Sequence, residues 1–396
     1  MNENKIYLKP KKEASLLRFH PWVFSGAVAY VQGKPEEGDV VEVYSSDGLF
    51  LGVGHYQIGS IVVRILSFKP VSINASFWTE RIRQAYDFRL SIGIAKRLET
   101  YRLVYGEGDL LPGLIIDIYA SMAVIQAHSV GMHYARNEIA EALRTVLGDG
   151  ISCIYYKSEG TLPFKADLGE ANELLYGENR KGLNISTENG FKFYIDWEKG
   201  QKTGFYIDQR DSRALARQYA ANRAVLNMFC YTGGFSVYAL DGGASLVHSV
   251  DSSAKAIYLT NENVALNFPE DTRHQTFAED AFTYLENMEE IYDLIILDPP
   301  AFAKHQNVLQ NALQGYRKLN ALAFKKIKPG GIIFTFSCSQ IVSKNDFRLA
   351  VFSAEAQAGR EVRILHQLSQ PPDHPINIYH PEGEYLKGMV LWVKGE

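Results

Sequence analysis

The chain has 396 residues, enough for two or three domains and a sizeable core, which excludes a miniprotein held together by disulfides. With 46% hydrophobic, 22% charged and 12% aromatic residues, its composition is that of an ordered globular protein and not of a disordered or fibrous one. The formal net charge of −4, from 41 Lys plus Arg against 45 Asp plus Glu, excludes a chain that is basic throughout, so any nucleic-acid surface has to be a local patch.

Three cysteines, Cys153, Cys230 and Cys338, lie far apart and are odd in number. This argues for a reducing compartment, with neither a disulfide framework nor a zinc cluster, and no metal is expected. The charged N-terminal segment carries no apolar signal-peptide core, and no later run reaches the ~18 apolar residues that span a bilayer. A cytoplasmic protein with no membrane partner is the expectation.

Over residues 27–31, 39–44, 50–56 and 61–66, short β-type runs alternate with turns at Gly33, Gly38, Asp47-Gly48 and Gly59, the spacing of a small β-barrel. Its leading segment is basic, with Lys5, Lys9, Lys11, Lys12 and Arg18 against Glu3 and Glu13, and runs into Phe19-His20-Pro21-Trp22-Val23-Phe24. Basic plus aromatic residues suit RNA; solvated charge and a buried Trp explain them equally well.

Residues 77–98 read as a linker helix, from the spacing of Phe77, Ile82, Ala85, Phe88 and Ile92. Strands at 101–104, 114–118, 122–126 and 153–156, with a helix over 134–147, then make an α+β middle domain. The carboxylates of Gly106-Glu107-Gly108-Asp109 are expected to cap or solvate a turn.

After the turn-rich 177–182 and a hairpin signal at Glu188-Asn189-Gly190 comes the loop Gly200-Gln201-Lys202-Thr203-Gly204. Asp208 with Asp211 resembles an N-cap opening a helix over 209–220. Strands at 224–229, 245–250, 292–297 and 331–337 then alternate with helices at 235–240, 253–266 and 312–326, the pattern of a mostly parallel, doubly wound sheet. The expected division is a barrel over 1–73, the middle domain over 74–185 and the doubly wound domain over 186–396.

In such a sheet ligands bind beyond the carboxyl ends of the strands. The first strand is followed by Cys230-Tyr231-Thr232-Gly233-Gly234, a turn whose glycines admit a ligand to the backbone but which lacks the G-x-G-x-x-G dinucleotide spacing. Asp251 follows the second strand, Asp280 (before Ala281) follows a third, strand-like stretch, and Asp298 follows the fourth strand. Each alone suits a helix cap, but together they point to a nucleoside-type ligand without a pyrophosphate.

This pattern resembles the class I S-adenosylmethionine methyltransferases, whose domain is Rossmann-like. The resemblance makes residues 227–234 the first motif, Asp251 the ribose acid, Asp280 the adenine-side acid, and Asp298-Pro299-Pro300-Ala301-Phe302 the fourth motif, whose stiff Pro-Pro rim suits a flat base. Cys338 stands directly after the fifth strand. C5 of a pyrimidine is too weakly nucleophilic for direct methylation, and a thiolate adding to C6 turns it into a carbon nucleophile. Cys230 is the competing thiol, with packing as its expected role.

Residues 101–114, the loop 200–210, Asp298-Pro299-Pro300 and Ser337-Cys338-Ser339, behind a small N-terminal barrel, are similar to the bacterial 23S ribosomal RNA cytosine-5 methyltransferases that begin with a PUA domain. The resemblance implies an α/β fold with a PUA-like barrel, S-adenosyl-L-methionine as cofactor with S-adenosylhomocysteine as product, 23S ribosomal RNA as partner, and Cys338 as nucleophile. It implies that Pro299, Pro300 and Phe302 flank the base and that Tyr231, Thr232, Gly233, Asp251, Asp280 and Ala281 surround the cofactor. Asp298, whose charge would only raise a thiol pKa, is expected to hold the N3/N4 edge of cytosine, and Tyr206 and Asp208 are expected beside the cofactor because their segment immediately precedes the binding unit. Where many RNA cytosine-5 enzymes carry a second cysteine, this chain has Pro299-Pro300-Ala301, which leaves product release and the C5 base unassigned. An enzyme methylating an exocyclic base amine and a non-catalytic ribosome-assembly factor are the alternatives, and a monomer and a homodimer are both compatible with the sequence.

Overall fold

The computed structural model describes residues 4–163, 168–169, 171–178, 184–289, 291–303 and 305–395. Glu3 of the basic segment and 179–182 of the turn-rich stretch lie outside the described residues. The chain forms two compact units: Met1–Asn189 with Ile195–Ile207 and Pro372–Gly383, and Gly190–Tyr194 with Asp208–Pro371 and Glu384–Glu396.

In the first unit a six-stranded sheet is built from Lys5–Leu8, Trp22–Phe24, Val28–Gln32, Val40–Tyr44, Phe50–Tyr56 and Ile61–Ser67. Its core is Ile6, Leu8, Val23, Val41, Val43, Leu51, Val63 and Ile65. The first two strands were hidden by their composition. In Lys5–Leu8 only Ile6 and Leu8 turn inward, while Trp22 is half-buried, its indole N–H donating to Glu107 at 2.9 Å and its ring 4.3 Å from His380. Trp22 thus has packing partners within this unit, although it is half-buried and not the buried Trp of the plainer reading.

Next, Asn74 caps the helix Ala75–Ser91 by accepting from the Phe77 amide at 3.1 Å, and Trp78, Ile82 and Ala85 form its buried face. The expected single helix over 77–98 is interrupted at Gly93, whose φ of 77° ends one helix and starts the short Ile94–Arg97. The middle sheet has the chain order Asn172–Tyr176, Cys153–Lys157, Met122–Ala127, Leu114–Tyr119 and Thr100–Tyr105 across its width, with the helix Arg136–Leu147 packed on it. Two ion pairs lock this region: Arg102 grips buried Asp117 with bonds of 2.7 and 2.8 Å, and Arg89 is paired to Asp109. Asp109 and Glu107 are thus structural, held by Arg89 and Trp22 instead of solvated. The hairpin Asn184–Glu188 and Phe191–Ile195 turns through Asn189 and Gly190, at φ of 51° and 89°, the left-handed pair that a tight hairpin requires.

His55 is 5% exposed in the barrel, and burial pushes its pKa down to about 4. The folded state excludes a proton that the unfolded chain takes up below pH ~6.5, so this contribution is complete above that pH and is lost as pH falls toward 4. A His55→Gln chain is expected to lose up to about 3 kcal/mol less stability than the unsubstituted one between pH 7 and 4, as read from denaturant unfolding. Equal losses would contradict this.

In the second unit we label the strands of the seven-stranded sheet β1 (Ala224–Met228), β2 (Leu246–Asp251), β3 (His274–Ala278), β4 (Leu294–Leu297), β5 (Ile332–Ser337), β6 (Val362–Leu368) and β7 (Lys387–Val393). Their order is β3-β2-β1-β4-β5-β7-β6, with β1 to β5 mutually parallel and β7 antiparallel to both neighbours. This is the expected Rossmann-like sheet, extended by β6 and β7, which the sequence reading did not include. The α/β alternation places helices Gly234–Asp241, Ala254–Asn267, Ala281–Asn287 and Leu309–Lys326 between the parallel strands. Leu226, Met228, Ile295, Leu297, Ile333, Tyr316, Leu319 and Phe324 centre the core. Among the described residues no helix is long and apolar enough to cross a membrane.

Candidate active site

The register puts Met228 beside Val250 on one side and Leu297 on the other, and Leu297 beside Thr335. The carboxyl ends of β1, β2, β4 and β5 therefore line one edge of the sheet. Strand order reverses between β1 and β4, the place where a crevice opens in a fold of this kind.

On the β1–β2 side the chain turns through Phe229, Tyr231 and Gly233 at φ of 57°, 48° and 77°. Gly233 has no substitute here: a Cβ would lie 2.7 Å from the Thr260 methyl. The turn is tied from behind by the Thr260 hydroxyl donating to the Tyr231 carbonyl at 2.9 Å and by the Asn263 amide donating to the Thr232 carbonyl at 2.8 Å. Asp251 accepts the Tyr231 amide at 3.0 Å on one carboxylate oxygen and the Ser253 amide at 2.9 Å on the other. Tyr231, Thr232, Gly233 and Asp251 are thus one constellation.

Asp251 is not the cap of the next helix; Ser253 is. Asp280 does act as a cap, accepting the Thr283 amide at 3.0 Å ahead of buried Ala281, two residues beyond β3, whose last residue, Ala278, pairs with Asp251. A backbone turn bracketed by carboxylates, without a glycine cradle for phosphates, fits the amino-acid and ribose parts of S-adenosylmethionine.

The segment around Tyr206 divides. Tyr206 belongs to the first unit, where its hydroxyl donates to Gln201 and the Lys202 ammonium lies 4.2 Å from its ring. Asp208 belongs to the second and is not an N-cap: the helix spans Arg210–Tyr219, its N-cap is Gln209 without a side-chain bond, and Asp208 sits in the preceding 3-10 turn. There its carboxylate accepts the Tyr385 hydroxyl at 2.5 Å.

On the β4–β5 side, Cys338 is half-buried, with Sγ 4.0 Å from the Pro299 carbonyl oxygen, which brings it against the residue that follows Asp298. The Ser339 hydroxyl donates to the Ala303 carbonyl at 2.7 Å and fastens the two loops together. Asp298 is half-buried, Pro299 buried and Pro300 exposed. Phe302 packs 4.7 Å from the ring of Tyr316, and its ring edge lies so near Gly315 that a Cβ there would come within 3.0 Å. Burial holds Tyr316 neutral, its pKa pushed up to about 12 with the Cys338 and Asp298 charges adding to the shift, and its hydroxyl accepts from Ser337 at 2.9 Å.

Cys230 is 6% exposed, and burial pushes its thiol pKa up to about 12, the opposite of an activated nucleophile. Cys153 is buried in the middle sheet.

Sequence reasoning missed Lys387. It opens β7, is 4% exposed, and its ammonium donates to the Ser339 carbonyl. Burial pushes its pKa down to about 8 against the opposing pull of the Cys338 and Glu384 charges. A lone lysine in the otherwise apolar run 386–393 was the available signal.

Elsewhere, ligating atoms of His20, His380 and Glu382 lie within 4.8 Å of one another. His20 Nδ1 accepts the Trp22 amide at 3.2 Å, and its Nε2 lies 3.7 Å from Glu382.

Residues 152–383 match the model of the S-adenosylmethionine-dependent methyltransferase family, and residues 6–68 match that of a PUA-like domain. A ribosomal RNA large subunit methyltransferase I from Tolumonas auensis is 42% identical over 393 residues, covering 98% of each chain. A protein described as a SAM-dependent methyltransferase from Streptococcus mutans superposes with a TM-score of 0.84 at 25% identity, over 98% of this chain and 100% of that one. A methyltransferase complexed with SAH gives the same TM-score, identity and coverage. The chain therefore belongs to the S-adenosylmethionine-dependent methyltransferase family, in the group of the ribosomal RNA large subunit methyltransferase I proteins.

Proposed function

We propose that this protein methylates C5 of a cytosine in large-subunit ribosomal RNA through a covalent adduct on Cys338. The substrate class rests on the name of the Tolumonas auensis relative and on the PUA-like match at the N-terminus. The chemistry rests on one observation: Cys338 stands half-exposed at the carboxyl end of β5, against the loop that carries Asp298.

S-adenosylmethionine, when bound, supplies the methyl group. Asp251 and the turn at Tyr231 to Gly233 hold it, with Asp280 and Ala281 at the start of the helix that follows β3. Asp298 hydrogen-bonds the N3/N4 edge of the base and shares a proton with N3, which makes the ring a better electron sink. Cys338 Sγ then bonds to C6, and the C5–C6 π electrons give C5 the nucleophilicity it lacks. Once C5 carries the methyl and has lost its proton to a base, the Sγ–C6 bond breaks and the thiolate returns.

RNA affinity belongs mainly to the barrel. Lys5 lies 5.4 Å from the Tyr44 ring and Lys9 reaches the Gly26 carbonyl at 3.1 Å, so two of the leading cations are carried on its surface. Replacing Lys5, Lys9, Lys11 and Lys12 with Ser is expected to flatten the salt dependence of RNA binding by roughly 0.7 to 0.9 in log–log slope for each phosphate that is no longer neutralised, with S-adenosylmethionine affinity retained. An unaltered slope would move the RNA surface elsewhere.

The function itself is tested by mapping 5-methylcytosine in ribosomal RNA from cells lacking the protein, by bisulfite sequencing and nucleoside mass spectrometry. One large-subunit 5-methylcytosine should vanish and return with the wild-type gene. Loss of a methylated exocyclic amine instead would favour the amine reading, and no lost methyl group would favour an assembly factor.

A further inference from the structure

On the proposed adduct chemistry Cys338 attacks as a thiolate, and the Asp298 charge beside the sulfur works against one. We infer that Lys387 is a positioning residue of this site, whose buried ammonium holds the Cys338 sulfur as the attacking thiolate. The inference rests on the reading of Cys338 given above.

The topology delivers the residue. β7 runs antiparallel to β5, and its first residue, Lys387, pairs with the last residue of β5, Ser337. A strand entering the sheet from that side begins where the parallel strands end, so Lys387 starts at the catalytic edge, opposite the residue before Cys338. Lysine is almost never buried unless paired. Lys387 is 4% exposed, and its ammonium is anchored on the carbonyl of Ser339, the residue after Cys338. Cys338 is thus flanked on both sides in sequence by residues that Lys387 engages.

The surrounding charges agree. Of the groups facing Lys387, Cys338 does most to keep its proton on nitrogen, Glu384 adds to this, and Lys344 opposes it. Lys344 and Glu384 are paired to each other, so their effects at Lys387 partly cancel. Asp298 and Tyr316 also lie near the sulfur: the charge of Asp298 disfavours a thiolate, and Tyr316 stays neutral. Burial takes Lys387 to about 8, which leaves it mostly charged at neutral pH. The thiol proton passes to solvent as Cys338 ionises, Lys387 keeps its own, and the same ammonium receives the charge that returns to sulfur when the Sγ–C6 bond breaks.

The test is the rate of iodoacetamide alkylation of Cys338 in the full-length protein, read on its own peptide by mass spectrometry across pH 5.5 to 9. Lys387→Met should react roughly tenfold more slowly at pH 7, with its profile moved to higher pH, while Lys387→Arg keeps most of the wild-type rate. Wild-type alkylation throughout the pH range in a folded Lys387→Met protein overturns the inference. If that variant does not fold, the thiolate ultraviolet absorbance of wild type minus Cys338→Ser decides: its absence at pH 7 also overturns the inference. Methyl transfer by Cys338→Ala would overturn the adduct chemistry instead, a result that alkylation kinetics do not share.

Discussion

Replacing Cys338 with alanine is expected to lower methyl transfer by on the order of 10^6-fold, the scale on which a covalent nucleophile is lost, while S-adenosylmethionine still binds. The size follows from the chemistry: without addition at C6, the C5–C6 π electrons of cytosine are too weakly nucleophilic to attack the methyl carbon, and holding the reactants together does not change that. Cys230 cannot substitute, because it is 6% exposed with its thiol pushed up to about 12. Single-turnover transfer of radiolabelled methyl to ribosomal RNA measures the loss. Activity near wild type in Cys338→Ala would remove the adduct and favour methylation of an exocyclic amine, which needs no thiol.

Asp251→Ala is expected to weaken S-adenosylmethionine binding by about ten- to a hundredfold, matching charge-assisted ribose bonds of roughly 1.5 to 3 kcal/mol. Asp251 has two jobs here. Besides facing the ligand edge, it accepts the Tyr231 and Ser253 amides and so fixes the turn that carries Gly233. Asp251→Asn, which keeps one acceptor oxygen, should fall between the two in calorimetry. Unchanged affinity in a folded Asp251→Ala protein would take Asp251 out of the site.

Asp251, Asp298 and Cys338 were legible as strand-end residues because each closes or follows a largely buried strand of the parallel sheet, where register alone sends them to one edge, whereas the strand before Asp280 is polar and only partly buried. Asp208 misled because an acid ahead of a helix looks like a cap from the sequence. Its actual partner, the Tyr385 hydroxyl, lies 177 positions along the chain, and no local pattern records such a contact. Lys387 was missed for a related reason: β7 is antiparallel and lies beyond the βα alternation that organised the reading. Phe302 was assigned by its place after Pro-Pro, but its ring packs at a tilt of 36° against Tyr316, so part of it is taken up by packing. Gly93 shows the limit of periodicity, since the apolar spacing of 77–98 continues through a residue whose left-handed backbone divides the helix.

The covalent step is tested most directly with ribosomal RNA carrying 5-fluorocytosine at the target position. Fluorine blocks loss of a proton from C5, so the adduct cannot resolve after methylation. Wild-type protein with S-adenosylmethionine should give a protein–RNA species that survives a denaturing gel, with the RNA on the peptide containing Cys338, and Cys338→Ala should give none. An adduct that persists in Cys338→Ala, or methylated RNA with no adduct in wild type, would contradict the account.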